Sequence, residues 1–185
     1  MILPIYLYGW PLLRRVSEDI PPDSPWLKDL IANMFETMYH SDGVGLAAPQ
    51  IGKSIRLIVI DGRSLAEDDP SMSDFVKVLI NPHISERGTD TALVSEGCLS
   101  LPGIREEVRR PDWVQMSYYD EHLVFHDDRF EGYAARIVQH EYDHLEGKLF
   151  IDHISPIRRK LLTGKLNQMI RGNVSADYKF VSVKK

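Results

Sequence analysis

The sequence predicts an α+β fold in a single compact domain, with mixed or antiparallel strands around a central HExxH helix and with N-terminal and C-terminal helices. Three observations carry that expectation. Apolar residues recur at three- and four-residue spacing in three separate stretches, and apolar β-branched runs fill the middle of the chain. The chain has 185 residues, 43% apolar and 26% charged, enough for one good core.

The first helix is expected in "SPWLKDLIANMFETMYH". Ser24 is its expected cap and Pro25 its first turn, and Leu27, Leu30, Ile31, Met34, Phe35 and Met38 form one buried stripe. "SDGVGLAAPQIG" then breaks the period with three glycines and a proline, so it reads as a loop that turns tightly or lies close to something. "IRLIVID" and "FVKVLINP" read as strands buried on both faces or central in a sheet. "WVQMSYYDEHLVFH" reads as a hairpin turning near Asp120 and Glu121. Helical periodicity returns from Tyr133 to about Glu146, with Gly147 as the stop. A last amphipathic helix is expected from Ser155 to Arg171. Residues 1–171 form the expected domain and 172–185 a basic tail.

Composition excludes several classes. No run approaches the ~18 apolar residues of a membrane span, and "MILPIYLYGWPLL" lacks the basic flank and cleavage site of a secretory signal. A cytoplasmic protein with no membrane and no DNA partner is expected. The single cysteine, Cys98, rules out an internal disulfide framework. Residues 153–185 hold eight Lys/Arg and one acid, Asp177, in a chain of net charge −5. Such an end is most simply a solvated helix face, with contact to RNA as the sharper alternative.

The chemistry concentrates in "QHEYDHLEG". His140 and His144 stand at i and i+4, so both rings leave one face of the helix and can converge on an ion. The plainer reading is two hydrogen-bonded histidines. Ile137, Val138 and Leu145 set the pair beside apolar core, however, where an unsatisfied imidazole costs roughly 1–3 kcal/mol. Glu141, next to one ligand, has the position of a general base. Two imidazoles need a third ligand. Asp152 and His153 fall in no metal-ligand pattern, whereas Cys98 in "EGCLSLPG" follows a glycine at a strand end. Taken alone, Cys98 is an inert buried thiol; taken with the histidines, it completes a Cys-His-His shell open to water.

Together, "GVGLAAPQIG" (43–52), "EGCLS" (96–100) and "QHEYDH" (139–144) resemble the three signature motifs of the peptide deformylases, in the family's order. The likeness runs from "ILPIY" to about Ser155, and is weakest in "GRSLAEDDPSMSDF" and in the tail. One departure is Trp10 in "YGWPLLRRV", where the family pattern has a small or acidic residue before the proline.

The resemblance implies that Cys98, His140 and His144 hold a metal and that Glu141 is the acid/base. The implied reaction removes the formyl group from the N-terminal formyl-methionine of nascent polypeptides and releases formate. A formamide carbonyl is poorly electrophilic, so the metal must supply hydroxide from bound water near neutrality. The side-chain amide of Gln50 and the backbone N–H of Leu99 are the implied oxyanion donors. Gly45 is expected either to lie along an extended peptide or simply to serve a turn. Val44, Tyr133 and Ile137 are candidates for the methionine pocket, or ordinary core. Arg105 is a candidate contact to the substrate backbone. Asp42 and Arg110 are expected to pair and hold the glycine loop. Glu96 and Asp143 are expected to orient the ligands, with Ser100 as a support for the cysteine strand.

Affinity order alone favours zinc. The resemblance implies Fe(II), with Zn, Ni or Co as alternatives. Two rival readings keep the metal: a peptidase, which lacks a recognisable downstream ligand, and a structural site. The latter needs a fourth ligand from His40, His83, His122, His126 or His153, none suitably spaced. The basic end leaves a ribosome contact open, and deletion of 172–185 is expected to leave small-peptide turnover intact.

Overall fold

A computed structural model describes residues 1–21 and 23–184. Five strands form the main sheet: β2 (Gly45–Ala47), β3 (Leu57–Asp61), β4 (Val76–Arg87), β7 (Trp113–Tyr119) and β8 (Phe125–Glu131). They lie side by side in that order, each antiparallel to the next. β5 (Thr91–Gly97) and β6 (Arg105–Pro111) form a separate antiparallel pair. β1 (Ile5–Tyr6) and β9 (Phe180–Val181) form a short parallel pair.

Strand β3 shows why its sequence is continuously apolar. All five of its residues are buried, and the four apolar ones alternate between two clusters. Leu57 and Val59 join Leu30, Ile31, Met34 and Met38 of α1 (Leu27–His40) on one face. Ile58 and Ile60 join Ile137, Val138, Tyr142 and Leu145 of α2 (Gly132–Leu145) on the other. Each such aliphatic side chain contributes about 1.5–3 kcal/mol on burial. The sheet is thus a partition between the two helices, and α2 is pressed against it by its own apolar stripe.

The expected fold class holds, and four local expectations change. α1 begins at Leu27 without a side-chain cap; the Ser24 hydroxyl instead donates to Pro21 O at 2.8 Å. β4 runs beyond Pro82, which the ladder tolerates because its register shifts between Ile80 and His83, with Asn81 at φ 51°. The last helix is two, α3 (Pro156–Leu161) and α4 (Thr163–Ile170), meeting at Leu162.

The fourth change concerns the basic tail, of which Lys185 lies outside the described residues. Val174, Tyr178 and Phe180 pack against the core cluster of α1 and β3, and β9 pairs with β1. Tyr178 also donates to Leu99 O at 2.6 Å. The segment is part of the folded body. Among the described residues, no helix is long and apolar enough to cross a membrane.

Candidate metal centre

Helical spacing sets the two imidazoles of α2 next to each other, ring centroids 5.4 Å apart. Cys98 follows the end of β5, where Leu101 N–H closes a turn onto Cys98 O at 2.9 Å. That turn brings Cys98 Sγ to 3.3 Å from His144 Nε2. One ligand atom from each of Cys98, His140 and His144 lies within 4.8 Å of the other two. The expected trio therefore converges.

His140 gives Nδ1 to Glu96 Oε2 at 2.8 Å, which leaves Nε2 for the centre. His144 Nδ1 and Glu141 Oε2 are buried with no hydrogen-bond partner among the described residues. Burial pushes His144 down to about 3, so its ring is neutral and keeps a lone pair. His140 is shifted upward: burial opposes its charge, but hydrogen bonds to Cys98 and Glu96 outweigh it. Burial pushes Glu141 up to about 7, against the charge of His140. One sulfur and two imidazole nitrogens around a common point fit a divalent transition metal. His83, His126 and His153 are engaged elsewhere, with Asp19, Asp120 and Asp143 respectively.

A buried charge network stands behind the histidines. Glu96 accepts from Arg110 at 2.6 and 3.0 Å, from Arg136 at 3.0 Å and from His140 at 2.8 Å. Asp143 accepts from Arg110 and from His153, both at 2.7 Å. Burial would raise Glu96, yet His140 and Arg110 hold it well below the usual carboxylate range. The expected Asp42–Arg110 pair is not formed. Arg110 is buried between Glu96 and Asp143, while Asp42 is exposed at φ 53° just beyond α1.

The glycine loop meets the centre through Gly45 and Gln50. A Cβ on Gly45 would lie 2.6 Å from Glu141 Oε1, so the glycine is required by the approach of that carboxyl. Gln50 Oε1 accepts Ala47 N–H at 2.9 Å, which turns Nε2 towards Cys98 Sγ at 3.5 Å and Ser100 Oγ at 3.4 Å. Val44 and Tyr133 are half-buried against the cluster that contains Ile137. Tyr133 also lines a cavity of about 490 Å³ with Val94, Trp113 and Arg136. Arg105 is exposed in register with Gly97, its guanidinium 3.5 Å from Ser95 O.

Sequence reasoning missed Arg136 and Tyr178, and weighed His153 only as a metal ligand, not as the partner of Asp143. Arg136 had a signal, because 136, 140 and 144 form one helical stripe and a buried arginine there needs an acid. Tyr178 had one too: Val174, Ala176, Tyr178 and Phe180 alternate inward with exposed residues between them. His153 had none.

Comparison with known proteins agrees with this geometry. The sequence profile of the polypeptide deformylases matches residues 2–160. The chain belongs to that family. It is therefore an enzyme, a metal-dependent hydrolase, as its three motifs imply. The peptide deformylase of Flavobacterium johnsoniae is 44% identical over 194 residues, covering 100% of this chain and 99% of that one. That of Christiangramia forsetii is 43% identical, covering 97% and 95%. Among solved deformylase structures, that from Thermotoga maritima superposes with a TM-score of 0.76 at 40% identity, covering 84% of this chain and 99% of that one. Arabidopsis thaliana peptide deformylase 1B, solved with an inhibitor, gives 0.81 at 34% identity, covering 92% of each.

Proposed function

We propose that this chain hydrolyses the N-formyl group from the formyl-methionyl end of newly made polypeptides and releases formate. The observation that carries the reading is the convergence of Cys98, His140 and His144 within 4.8 Å, beside a buried Glu141 whose Oε2 has no partner. Membership of the deformylase family supports it.

Cys98, His140 and His144 would hold the metal, Fe(II) in this reading with Zn, Ni or Co as alternatives. When bound, such an ion lowers the pKa of a water molecule and so supplies the nucleophile. Glu141 would take a proton from the attacking water and return it to the departing amine, its Oε2 being buried and unpartnered beside the ligands. Gln50 Nε2, held in orientation through its own carbonyl, donates to the oxygen that gains charge, together with Leu99 N–H. An amide is suited to this role because it donates without a charge that would attract an anion between turnovers.

Strand β2 has β3 on one side only and ends the sheet. On the side away from β3, Gly45 would supply the backbone partner for an extended peptide, since Val44 O accepts from Asp61 N–H. Val44, Tyr133 and Ile137 enclose the methionine side chain, and Arg105 meets the peptide beyond it. Glu96 and Asp143 orient the ligands through His140 and Arg110. The exposed Lys160, Lys165 and Arg171 give α3 and α4 a basic surface for ribosomal RNA, in a cytoplasmic setting.

Anaerobically prepared protein should release formate from formyl-Met-Ala. Cleavage of unformylated peptides at a comparable rate would instead identify a peptidase and end this reading.

A further inference from the structure

The Cys98–Leu101 turn is braced by residues outside the deformylase motifs. Each of its first three carbonyls has a donor. Cys98 O accepts Leu101 N–H at 2.9 Å, Leu99 O accepts the Tyr178 hydroxyl at 2.6 Å, and Ser100 O accepts Tyr8 N–H at 2.9 Å. Tyr8 follows β1 and Tyr178 precedes β9, so the two external donors come from segments that pair with each other.

That pairing is itself reinforced. Ile5 N–H donates to Lys179 O at 2.9 Å and Leu7 N–H to Val181 O at 3.0 Å. Trp10 Nε1 donates to the same Val181 O at 3.1 Å. The Trp10 indole is thus spent on β9. On the far side of the turn, a Cβ on Gly43 would lie 3.0 Å from Leu99 Cδ1, so the glycine loop closes against Leu99 there. Leu99 is thus met at its side chain by the loop and at its carbonyl by Tyr178.

We propose that Tyr178 is a positioning residue for the reaction: its hydroxyl fixes the Leu99 carbonyl and the Leu101 N–H fixes the Cys98 carbonyl, so the peptide planes on both sides of the Leu99 Cα are held and Leu99 N–H stays aimed at the developing oxyanion. The inference rests on Leu99 serving as an oxyanion donor, as proposed above. A donor contributes there only when it is oriented before charge appears, because reorientation during the reaction consumes the stabilisation it offers. β1, β9 and Trp10 keep Tyr178 in register, which makes the segment 172–184 part of the catalytic apparatus. The earlier expectation that this segment is dispensable for small-peptide turnover is reversed in this reading.

Tyr178→Phe removes the hydroxyl and keeps the ring, so packing against the core is retained. In the metal-loaded full-length protein, kcat for formyl-Met-Ala should fall about 10-fold with KM within about twofold, the loss of one oriented hydrogen bond. Backbone amide exchange at Leu101 and Tyr8, whose N–H groups bond to the turn, should quicken about 10-fold while α2 is unchanged, and the thermal midpoint should drop by no more than about 4 °C. A kcat within twofold of the parent, unchanged exchange at Leu101 and Tyr8, or an effect confined to KM would each overturn the proposal. Exchange that quickens equally in α2 would also overturn it, as a general loosening. Absence of formate release by the parent protein would overturn the proposed function itself, a result distinct from an active parent matched by an equally active Tyr178→Phe.

Discussion

His140 and His144 stand on a helix backed by buried charges, whereas Cys98 and Leu99 stand on a turn held by uncharged hydrogen bonds from distant segments. Behind the helix, Glu96, Asp143, Arg110, Arg136 and His153 are linked to one another and to His140. Behind the turn are Gln50, Tyr8 and Tyr178. The difference lies in how support fails. A buried ion pair that loses one member leaves a stranded charge, costing several kcal/mol, while a neutral bond that is lost costs about one. The helix side is therefore an all-or-none assembly, and the turn side a graded one.

The largest effect expected is chemical and stands apart from either support. Glu141→Gln should cut formate release about 10²–10⁴-fold with metal content and stability retained. A smaller loss would remove the carboxyl from the proton-transfer role.

Next in size is Arg110→Met, which leaves Glu96 to Arg136 and His140 and Asp143 to His153, with the charge between the two carboxylates removed. Urea unfolding should show a loss of about 3–5 kcal/mol, against about 1 kcal/mol for Ser100→Ala on the turn side. Equal losses would erase the distinction between the two halves.

Gly45→Ala tests the seam between them, where an added methyl meets Glu141 Oε1 at 2.6 Å. A cost of about 1–3 kcal/mol is expected, with a fall in kcat as the carboxyl is displaced. A variant as stable and active as the parent would show that Glu141 has room to move.

The smallest effect sharpens the comparison at low pH, where charged supports titrate and neutral ones do not. Asp61 is a charged support beside the glycine loop: its carboxylate accepts from Tyr39 of α1 at 2.8 Å and from Arg63 at 2.9 and 2.6 Å. Its hydrogen bond to Arg63, helped by Tyr39 and opposed by burial, draws its carboxyl down to about 2. A depressed carboxylate contributes stability that is present above its unfolded value and lost as pH falls through the folded one. Acid titration of the parent should therefore show a decline between about pH 4 and 2 that is shallower in Asp61→Asn. Arg63 is exposed, so solvent screens the pair and the difference is modest. Superimposable curves would show that Asp61 adds nothing to this support.

The helix half of the centre was legible because its information is local. The i, i+4 histidines, the adjacent glutamate and the apolar stripe all fall within one helix, and β3 announced its two-sided burial by an unbroken apolar run. Cys98 was reached as third ligand because it follows a glycine at a strand end and no downstream residue fits a ligand pattern, while the roles of Gln50 and Leu99 came through the motif resemblance, since nothing local joins 50, 98 and 140. Arg110 was given the wrong partner because its neighbours depend on the β5–β6 register, in which it lies opposite Ala92. Ser24 was misread because proline-rich flanks let its hydroxyl satisfy Pro21 O instead of a helix amide. The tail was misread because its charge drew more weight than the alternation of Val174, Ala176, Tyr178 and Phe180.

The parallel ladder that joins Ile5 to Phe180 also sets an order of assembly. During synthesis the helix and sheet can form from contiguous stretches, but this closure joins segments far apart in sequence and must wait until residues 178–181 have emerged from the ribosome. The turn that carries Cys98 and Leu99 thus receives its outer brace last, when these two distant segments can meet.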